Sequence, residues 1–146
     1  MIYYLSLGAN IGKREQTLQS AIHLIEQQIG HVLRCSSFYY SEPWGFESPN
    51  PFCNLCCAIQ TTKEPIEVLH STQAIERALG RTKKSSISNI QSSIPNYSDR
   101  SIDIDLIRAF KEDGEEIYVT LPELHIPHLL WQERDFVKVP LAEIMQ

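Results

Sequence analysis

The hydrophobic positions of the chain follow two different periods. Runs of β-branched, aromatic and other apolar residues predict strands over residues 2–7, 31–40, 52–61 and 101–110. Between them, apolar positions recur at helical spacing and predict two helices, with stripes formed by Leu18, Ile22, Ile25 and Ile29 and by Val68, Thr72, Ile75 and Leu79. Pro65 falls in the first turn of the second helix and Gly80 near its end, and Gly30 follows the first stripe, where a helix often ends in a left-handed residue.

The order of these elements, β-α-β-β-α-β, predicts an α+β fold. Two βαβ units in succession are typical of a ferredoxin-like sandwich, with helices on one face of a mainly antiparallel sheet. The length of 146 residues suits one domain over residues 1–146. After Gly114, a short strand is predicted over residues 117–120.

Two loops carry residues suited to ligand binding. Residues 41–51 are rich in proline and include Trp44 and Phe46, whose rings either contact a ligand or pack back onto the core. Residues 82–98 are rich in serine and asparagine with basic edges, which favours a mobile lid over a charged ligand.

Charge is distributed unevenly along an acidic chain of net charge −5. One segment is basic, with a single acidic residue, Asp99, among Arg77, Arg81, Lys83, Lys84 and Arg100. This distribution indicates either a solvated helix end and loop or a site for a specific polyanion, and it argues against general nucleic-acid binding. No apolar run is long enough to span a bilayer and no basic leader opens the chain, so we expect a cytoplasmic protein that does not bind membranes.

The four cysteines are expected to be structural. Cys53, Cys56 and Cys57 fall within a predicted strand, without the helix start or second cysteine pair that redox or zinc sites need. We interpret them as small apolar core residues, with metal binding and redox chemistry as the less favoured alternatives.

The strongest chemical signal is the pair Asp103 and Asp105. On a strand their side chains share a face, while Ile102, Ile104 and Leu106 point to the core. Two adjacent carboxylates are stable if they are solvated, if one is protonated, or if a hard cation such as Mg²⁺ lies between them.

Basic residues near the two aspartates favour the third of these alternatives, a bound metal cation that carries phosphate. Arg100 precedes the two aspartates, and Arg81 and Lys83 lie on the predicted lid, which suits Mg-ATP chemistry without a Walker motif. His128, after Pro127, is placed to bind a phosphate or is an ordinary surface residue. Asn54 either holds a flat heterocycle by paired hydrogen bonds or lies exposed on one sheet face.

Several short motifs occur together in a characteristic order. They are Leu7-Gly8-Ala9-Asn10, Ser36-Ser37-Phe38-Tyr39, Pro43 with Gly45, Phe52 with Asn54, Glu76 with Gly80-Arg81, Arg100-x-x-Asp103-x-Asp105-Leu106, and Pro127-His128 with Arg134 and Phe136. On these motifs the chain resembles the 6-hydroxymethyl-7,8-dihydropterin pyrophosphokinase family of folate biosynthesis over nearly its whole length. It departs from the family's usual pattern at Ser98 and Asp99, at Tyr97, and at Phe52, where a tyrosine is common.

The resemblance implies an enzyme that transfers diphosphate from ATP to the hydroxymethyl group of the pterin and releases AMP. It implies two Mg²⁺ ions on Asp103 and Asp105, with Arg81 and Arg100 stabilising phosphate charge. The implied ATP-binding residues are Gln73, Glu76, Arg81, Lys83, Arg100, His128 and Arg134. The implied pterin-binding residues are Ser41, Glu42, Pro43, Trp44, Phe52, Asn54 and Phe136.

Other functions remain open on the sequence. A Mg-dependent nucleotide hydrolase, a phosphotransferase with another acceptor, and a weakly catalytic ligand-binding homologue would all use the same carboxylates. An RNA-binding module is disfavoured, because carboxylates on the binding face repel phosphate. The expected partners are therefore small molecules, and the chain is expected to be a monomer.

Overall fold

The computed structural model describes residues 1–42, 51–80 and 102–145. Its strands are β1 (Ile2–Ala9), β2 (His31–Cys35), β3 (Tyr39–Ser41), β4 (Phe52–Gln60), β5 (Asp103–Phe110), β6 (Val119–Leu121) and β7 (Leu124–Ile126). Its helices are α1 (Arg14–Gln28), α2 (Pro65–Ala78) and α3 (Asp135–Ile144), the last preceded by a short 3-10 helix at Trp131–Glu133. Within these ranges, none of the helices has the length and apolar character needed to cross a bilayer.

The main sheet has the strand order β2-β4-β1-β5, and every pair in it is antiparallel. β3 also pairs with β4, beyond the end of β2. The central strands are β4 and β1, and the strand that ends each βαβ unit lies at an edge, β2 beside β4 and β5 beside β1. This is the order of a ferredoxin-like sheet, so the predicted α+β fold is confirmed. β5 is an edge strand, which leaves the backbone groups on its outer side to be satisfied by other parts of the chain.

Both faces of the sheet are covered by helices. α1 and α2 pack on one face over a core that includes Leu5, Ile59 and Ile104. The other face carries a smaller cluster in which Val137, Leu141 and Ile144 of α3 contact the sheet residues Tyr4, Cys56, Ala58 and Ile107. The expectation of helices on one face only is therefore wrong, because α3 was not predicted.

Pro140 explains why the pattern did not reveal α3. A proline inside a helix removes one backbone hydrogen bond and normally argues against helical structure. Here Pro140 lies within α3 and is buried. Apolar contact between this helix and the sheet compensates for the missing hydrogen bond.

The predicted strand over residues 31–40 is divided into β2 and β3. Between them, Ser36 donates its N–H to Cys56 O at 2.8 Å, and its hydroxyl accepts the Cys56 N–H at 2.9 Å. Glu143 of α3 accepts hydrogen bonds from both the N–H and the hydroxyl of Ser37. Serine side chains and α3 thus replace part of the strand ladder, which residue pattern alone does not show.

Two smaller expectations need correction. Gly30 does not adopt the left-handed conformation predicted for it; it is needed because a Cβ there would collide with the carbonyl oxygen of Gln60. Gly80 does adopt it, with φ of +103°. The strand predicted over residues 117–120 lies at Val119–Leu121 and pairs with β7, so that a hairpin leads into His128.

The cysteine prediction is confirmed for the three strand residues. Cys53, Cys56 and Cys57 are fully buried, and burial raises the pKa of each thiol above its ordinary value. Cys35 is exposed at the end of β2. The three buried thiols therefore serve as core packing residues on β4.

Candidate active site

A cavity of about 820 Å³ opens beside β5, with lining residues from the start of α3 on one face of the sheet and from α2 on the other. Its floor is formed where β1 ends and where β4 and β5 begin, and the start of α3 closes one side. It brings together every predicted site residue that the structure describes: Ser41, Glu42, Phe52, Asn54, Gln73, Glu76, Asp103, Asp105, His128, Arg134 and Phe136.

Five of the predicted site residues lie outside the described residues. They are Pro43, Trp44, Arg81, Lys83 and Arg100. The predicted lid over residues 82–98 and the departures at Tyr97, Ser98 and Asp99 lie there as well. Their expected roles stay predictions.

Asp103 and Asp105 project from β5 into this cavity beside small residues of β1. Asp103 is paired with Gly8 and Asp105 with Ser6, so the neighbouring strand leaves room above the two carboxylates. Ile102, Ile104 and Leu106 are buried in the core under α1 and α2, as alternation predicted. The two carboxylates therefore face the cavity together.

The electrostatic environment of Asp105 opposes its negative charge. Burial is the largest cause and the carboxylates of Asp103 and Glu76 add to it, so the pKa of Asp105 lies well above its ordinary value. Arg134 acts in the opposite direction. Because a bound cation would offset this unfavourable burial of negative charge, the site is suited to cation binding.

The carboxylate pair also fits the donor set of Mg²⁺. Magnesium prefers oxygen ligands and is commonly held by one or two carboxylates, with water and substrate phosphates completing its shell. Across residues 1–42, 51–80 and 102–145 there is no group of three or more His, Cys, Asp or Glu side chains arranged to hold a metal. If a Mg²⁺ ion binds in the cavity, Asp103 and Asp105 are the carboxylates on the floor that would supply oxygen ligands, and substrate oxygens or water would supply the others.

Glu76 supports the strand that carries the two aspartates. It lies on α2, is 8% exposed, and accepts a hydrogen bond from the Ile104 N–H at 2.7 Å. Ile104 separates Asp103 from Asp105, and its N–H lies on the outer edge of β5. Glu76 thus satisfies a backbone donor that the sheet leaves unpaired and fixes the position of the carboxylate pair.

We expect Glu76→Ala to lower both stability and activity. Loss of the acceptor leaves a buried N–H unsatisfied, which costs about 1–3 kcal/mol of the free energy of unfolding. Loosening of β5 is expected to lower kcat/KM about tenfold or more, whereas Glu76→Gln keeps an acceptor oxygen and most of the stability. Thermal unfolding and steady-state kinetics measure the two effects.

Glu67→Ala provides a matched control for this experiment. Glu67 is on the same helix and also accepts a backbone hydrogen bond, from the Glu64 N–H at 2.9 Å, but it belongs to the capping box at the helix start. Its loss should reduce stability by about 0.5–2 kcal/mol and leave kcat/KM near the wild-type value. Equal kinetic effects of the two alanine variants would contradict the positioning role of Glu76.

His128 is held as a neutral hydrogen-bond donor. Its backbone N–H donates to Ile107 O at 2.9 Å, and its Nδ1 accepts the Leu130 N–H at 3.3 Å, which leaves the ring proton on Nε2. Burial and the charge of Arg134 lower the pKa of the imidazole, with Asp103 opposing them. Near neutral pH the ring can therefore offer an N–H to an anionic oxygen in the cavity.

Arg134 places a buried positive charge at the start of α3. It is 6% exposed, and its guanidinium lies 5.8 Å from the centre of the Phe136 ring. Its charge lowers the pKa of both Asp105 and His128. The cavity thus places one cationic side chain near the two carboxyl groups of its floor, an arrangement suited to a phosphate chain with a bound cation.

Asn54 lies at the other end of the cavity, two strands from Asp103. Gly8 pairs with both residues, which places them about 10 Å apart across the sheet. The amide nitrogen of Asn54 donates to Tyr39 O and to the hydroxyl of Ser41, each at 2.9 Å. The alternative of an exposed Asn54 is wrong, since the residue is 2% exposed. Binding of a heterocycle by Asn54 stays a prediction, and with both donors used within the protein Oδ1 is the atom suited to a ligand N–H.

Gly8 and Ser6 were missed as site residues. A Cβ on Gly8 would lie 2.9 Å from Asn54 Oδ1 and 3.5 Å from Phe52 Cδ1, so a side chain there would enter the cavity. The sequence does carry a signal for them: Tyr4, Ser6 and Gly8 share one face of β1, and their side chains become smaller toward the end of the strand. Other missed lining residues, such as Glu123 and His125, belong to the hairpin that the pattern did not predict.

Comparison with known proteins finds matches over nearly the whole chain. The family profile described as 7,8-dihydro-6-hydroxymethylpterin-pyrophosphokinase matches residues 4–146. The chain is 43% identical to the 2-amino-4-hydroxy-6-hydroxymethyldihydropteridine pyrophosphokinase of Porphyromonas gingivalis over 145 residues, covering 98% of this chain and 90% of that protein. It is 36% identical to the Bacillus subtilis enzyme of the same name over 146 residues, covering 99% and 78%.

Solved structures agree on the fold. A structure titled as HPPK-DHPS in complex with substrates aligns with a TM-score of 0.67 at 14% identity, over 98% of this chain. The present chain spans 40% of the length of that larger protein. Since the family profile covers nearly all residues and the relatives exceed 30% identity, the chain belongs to the 7,8-dihydro-6-hydroxymethylpterin-pyrophosphokinase family and is an enzyme of the diphosphokinase class.

Proposed function

We propose that the chain transfers the β,γ-diphosphate of ATP to the hydroxymethyl group of 6-hydroxymethyl-7,8-dihydropterin, with Mg²⁺ and with release of AMP. The observation that carries this proposal is that Asp103 and Asp105 share one cavity with Asn54 and Arg134. A flat heterocycle at the Asn54 end would bring its hydroxymethyl group toward the carboxylates. The membership in the family supports the reaction class.

The proposed pterin site lies at the Asn54 end. Phe52 lies two residues before Asn54 on β4, and Phe136 lines the same cavity from the start of α3, beside Arg134. Both rings offer aromatic surface for stacking. Asn54 Oδ1 would accept a ring N–H, and Ser41 and Glu42 border the same region. We also assign Pro43 and Trp44 to this site, because their positions in the sequence resemble those of the pterin-binding segment of the family.

The proposed ATP site lies on the Arg134 side. Gln73, Glu76 and His128 line this part of the cavity. His128 would donate its Nε2–H to a phosphate oxygen, and Arg134 would balance phosphate charge. Arg81, Lys83 and Arg100 are proposed to add further positive charge, on the basis of sequence alone.

In the proposed reaction, Asp103 and Asp105 would hold two Mg²⁺ ions. When bound, magnesium supplies charge neutralisation for the triphosphate and orients it. The pterin hydroxyl oxygen forms the new bond to the β-phosphorus, the bond between that phosphorus and the bridging oxygen of AMP breaks, and the hydroxyl proton is released. The residues of this chain bind and align the two substrates and form no covalent intermediate with them.

The test is AMP formation from Mg-ATP with and without 6-hydroxymethyl-7,8-dihydropterin, and with EDTA. We expect AMP formation that requires the pterin and stops when EDTA removes the metal. AMP formed without pterin, or release of ADP, would show a nucleotide hydrolase or a different phosphotransferase instead. A cytoplasmic monomer with small-molecule substrates is part of the same proposal, and size-exclusion chromatography checks the monomer.

A further inference from the structure

We propose that Arg14, Glu15 and Tyr40 are positioning residues for the pterin end of the site. We call these three residues the Arg14 cluster. The inference rests on the proposed function, since it concerns how the pterin-binding side chains of β3 and β4 are held in place. The three residues do not line the cavity, and none of them belongs to the motifs discussed above.

The Arg14 cluster joins the start of α1 to both β3 and β4. Arg14 donates from its guanidinium NH1 to Pro51 O at 2.8 Å, and Pro51 directly precedes Phe52. The guanidinium also lies 5.4 Å from the centre of the Tyr40 ring. One side chain thus contacts the residue before Phe52 and the residue before Ser41.

The second connection runs through the Tyr40 hydroxyl. It donates to Glu15 Oε2 at 2.7 Å, and Arg14 lies 3.8 Å from the same oxygen. This hydrogen bond lowers the pKa of Glu15 and raises the pKa of Tyr40 to about 12, so at neutral pH the phenol remains the donor and the carboxylate the acceptor. The ring, which is 53% exposed, is therefore held by two partners on α1.

Alternation on the paired strands places the cluster behind the site. Tyr40 pairs with Cys53, which is buried in the core under α1 and α2. The flanking pairs, Tyr39 with Asn54 and Ser41 with Phe52, place Ser41, Asn54 and Phe52 on the opposite face, where they line the cavity. The same short stretch of two strands thus carries the Arg14 cluster on one face and the proposed pterin contacts on the other.

This arrangement gives the cluster a selective effect on pterin binding. β3 is only three residues long, and Asn54 donates two hydrogen bonds to it. A shift of β3 relative to β4 would move the Ser41 hydroxyl and Tyr39 carbonyl that orient the Asn54 amide. The hydrogen bonds, the ion pair and the ring contact described above join the start of α1 to β3 and to the residue before β4, and none of these contacts involves α2, β5 or the start of α3.

The test compares Arg14→Met, Arg14→Lys and Tyr40→Phe with the wild-type enzyme. We expect Arg14→Met to raise the KM for pterin about three- to tenfold, with the KM for ATP within about twofold of wild type. Arg14→Lys, which can still donate to Pro51 O, should recover part of this loss. Tyr40→Phe, which retains the ring and loses the bond to Glu15, should show a smaller rise.

Arg34→Met is the matched control. Arg34 also reaches a backbone carbonyl, donating from Nε to Ile144 O at 2.7 Å, but it joins β2 to the far end of α3. It should lower the unfolding temperature without changing the KM for pterin, because it does not join β3 to β4.

The outcomes separate this inference from the proposed function. If wild type shows no pterin-dependent AMP, the proposed function fails and the inference with it. If wild type is active and Arg14→Met changes neither KM, or changes the KM for ATP equally, only the positioning role is overturned. An equal rise in the KM for pterin in Arg34→Met would overturn it as well, since the effect would then reflect general loss of stability.

Discussion

Replacing Asp105 with asparagine is expected to reduce pterin-dependent AMP formation at least about a thousandfold, or about 4 kcal/mol of transition-state stabilisation. Asp105 shares the cavity floor with Asp103, and an amide cannot replace the negative charge that would hold Mg²⁺ near the triphosphate. Asn keeps the size of the side chain, so the packing of β5 should not change. The measurement is AMP formation at saturating Mg²⁺.

Asp105→Asn should leave the stability of the metal-free protein unchanged or higher. The pKa of Asp105 is raised by burial and by neighbouring carboxylates, so stability falls as pH rises above the ordinary aspartate range near 3.8. At neutral pH, folding must either bury a charge or take up a proton at this position, and asparagine requires neither. We expect an unfolding temperature in EDTA equal to or above that of wild type.

Glu112→Gln is a suitable control for this prediction. Glu112 is exposed and follows the other end of β5, so its change from acid to amide should affect neither activity nor folding. A marked loss of stability in Asp105→Asn, seen as a lower unfolding temperature or a collapsed circular dichroism spectrum, would show that Asp105 is a structural residue instead.

Asn54→Ala is expected to lower kcat/KM for pterin about 10- to 100-fold. The change removes the Oδ1 acceptor proposed for a ring N–H and leaves the Tyr39 carbonyl and Ser41 hydroxyl without their donor. The KM for ATP should change little, since the two substrates are proposed to occupy opposite ends of the cavity. Binding of pterin followed by fluorescence, together with both KM values, gives the comparison.

The same substitution should reduce the free energy of unfolding by about 1–3 kcal/mol, because Asn54 is 2% exposed and holds β3. Gln60→Ala, at the exposed opposite end of β4, removes an amide without these contacts and should have neither effect. If Asn54→Ala bound pterin as wild type does, the assignment of the pterin end would have to be abandoned.

The main elements of the fold could be predicted from the sequence because their patterns are local. Alternation on β5 placed Ile102, Ile104 and Leu106 in the core and both aspartates on the other face. The helical stripes of α1 and α2 were equally clear, although Ala21 rather than Ile22 is among the fully buried residues of α1. These periodic patterns predict the burial correctly because one face of each helix or strand packs on the core along its whole length.

The errors occur where long-range contacts override local preference. α3 was missed because Pro140 argues against a helix until its apolar face meets the sheet. The division of the strand at Ser36 depends on Cys56, twenty residues away, and on Glu143. Only one strand of the hairpin formed by β6 and β7 was predicted, because a strand of three residues is too short to show a clear alternation of apolar and polar positions.

By itself, the sequence determined the order of the elements, the shared face of Asp103 and Asp105, and the likeness to a family, since each depends on spacing along the chain. Only the tertiary structure decided that Asn54 uses its donors within the protein, that Glu76 supports the backbone between the two aspartates, and that Arg14 joins α1 to the strands behind the cavity. These contacts join residues 13 to 37 positions apart. No local period encodes them, because they form only when separate elements pack together and leave buried polar groups to be satisfied.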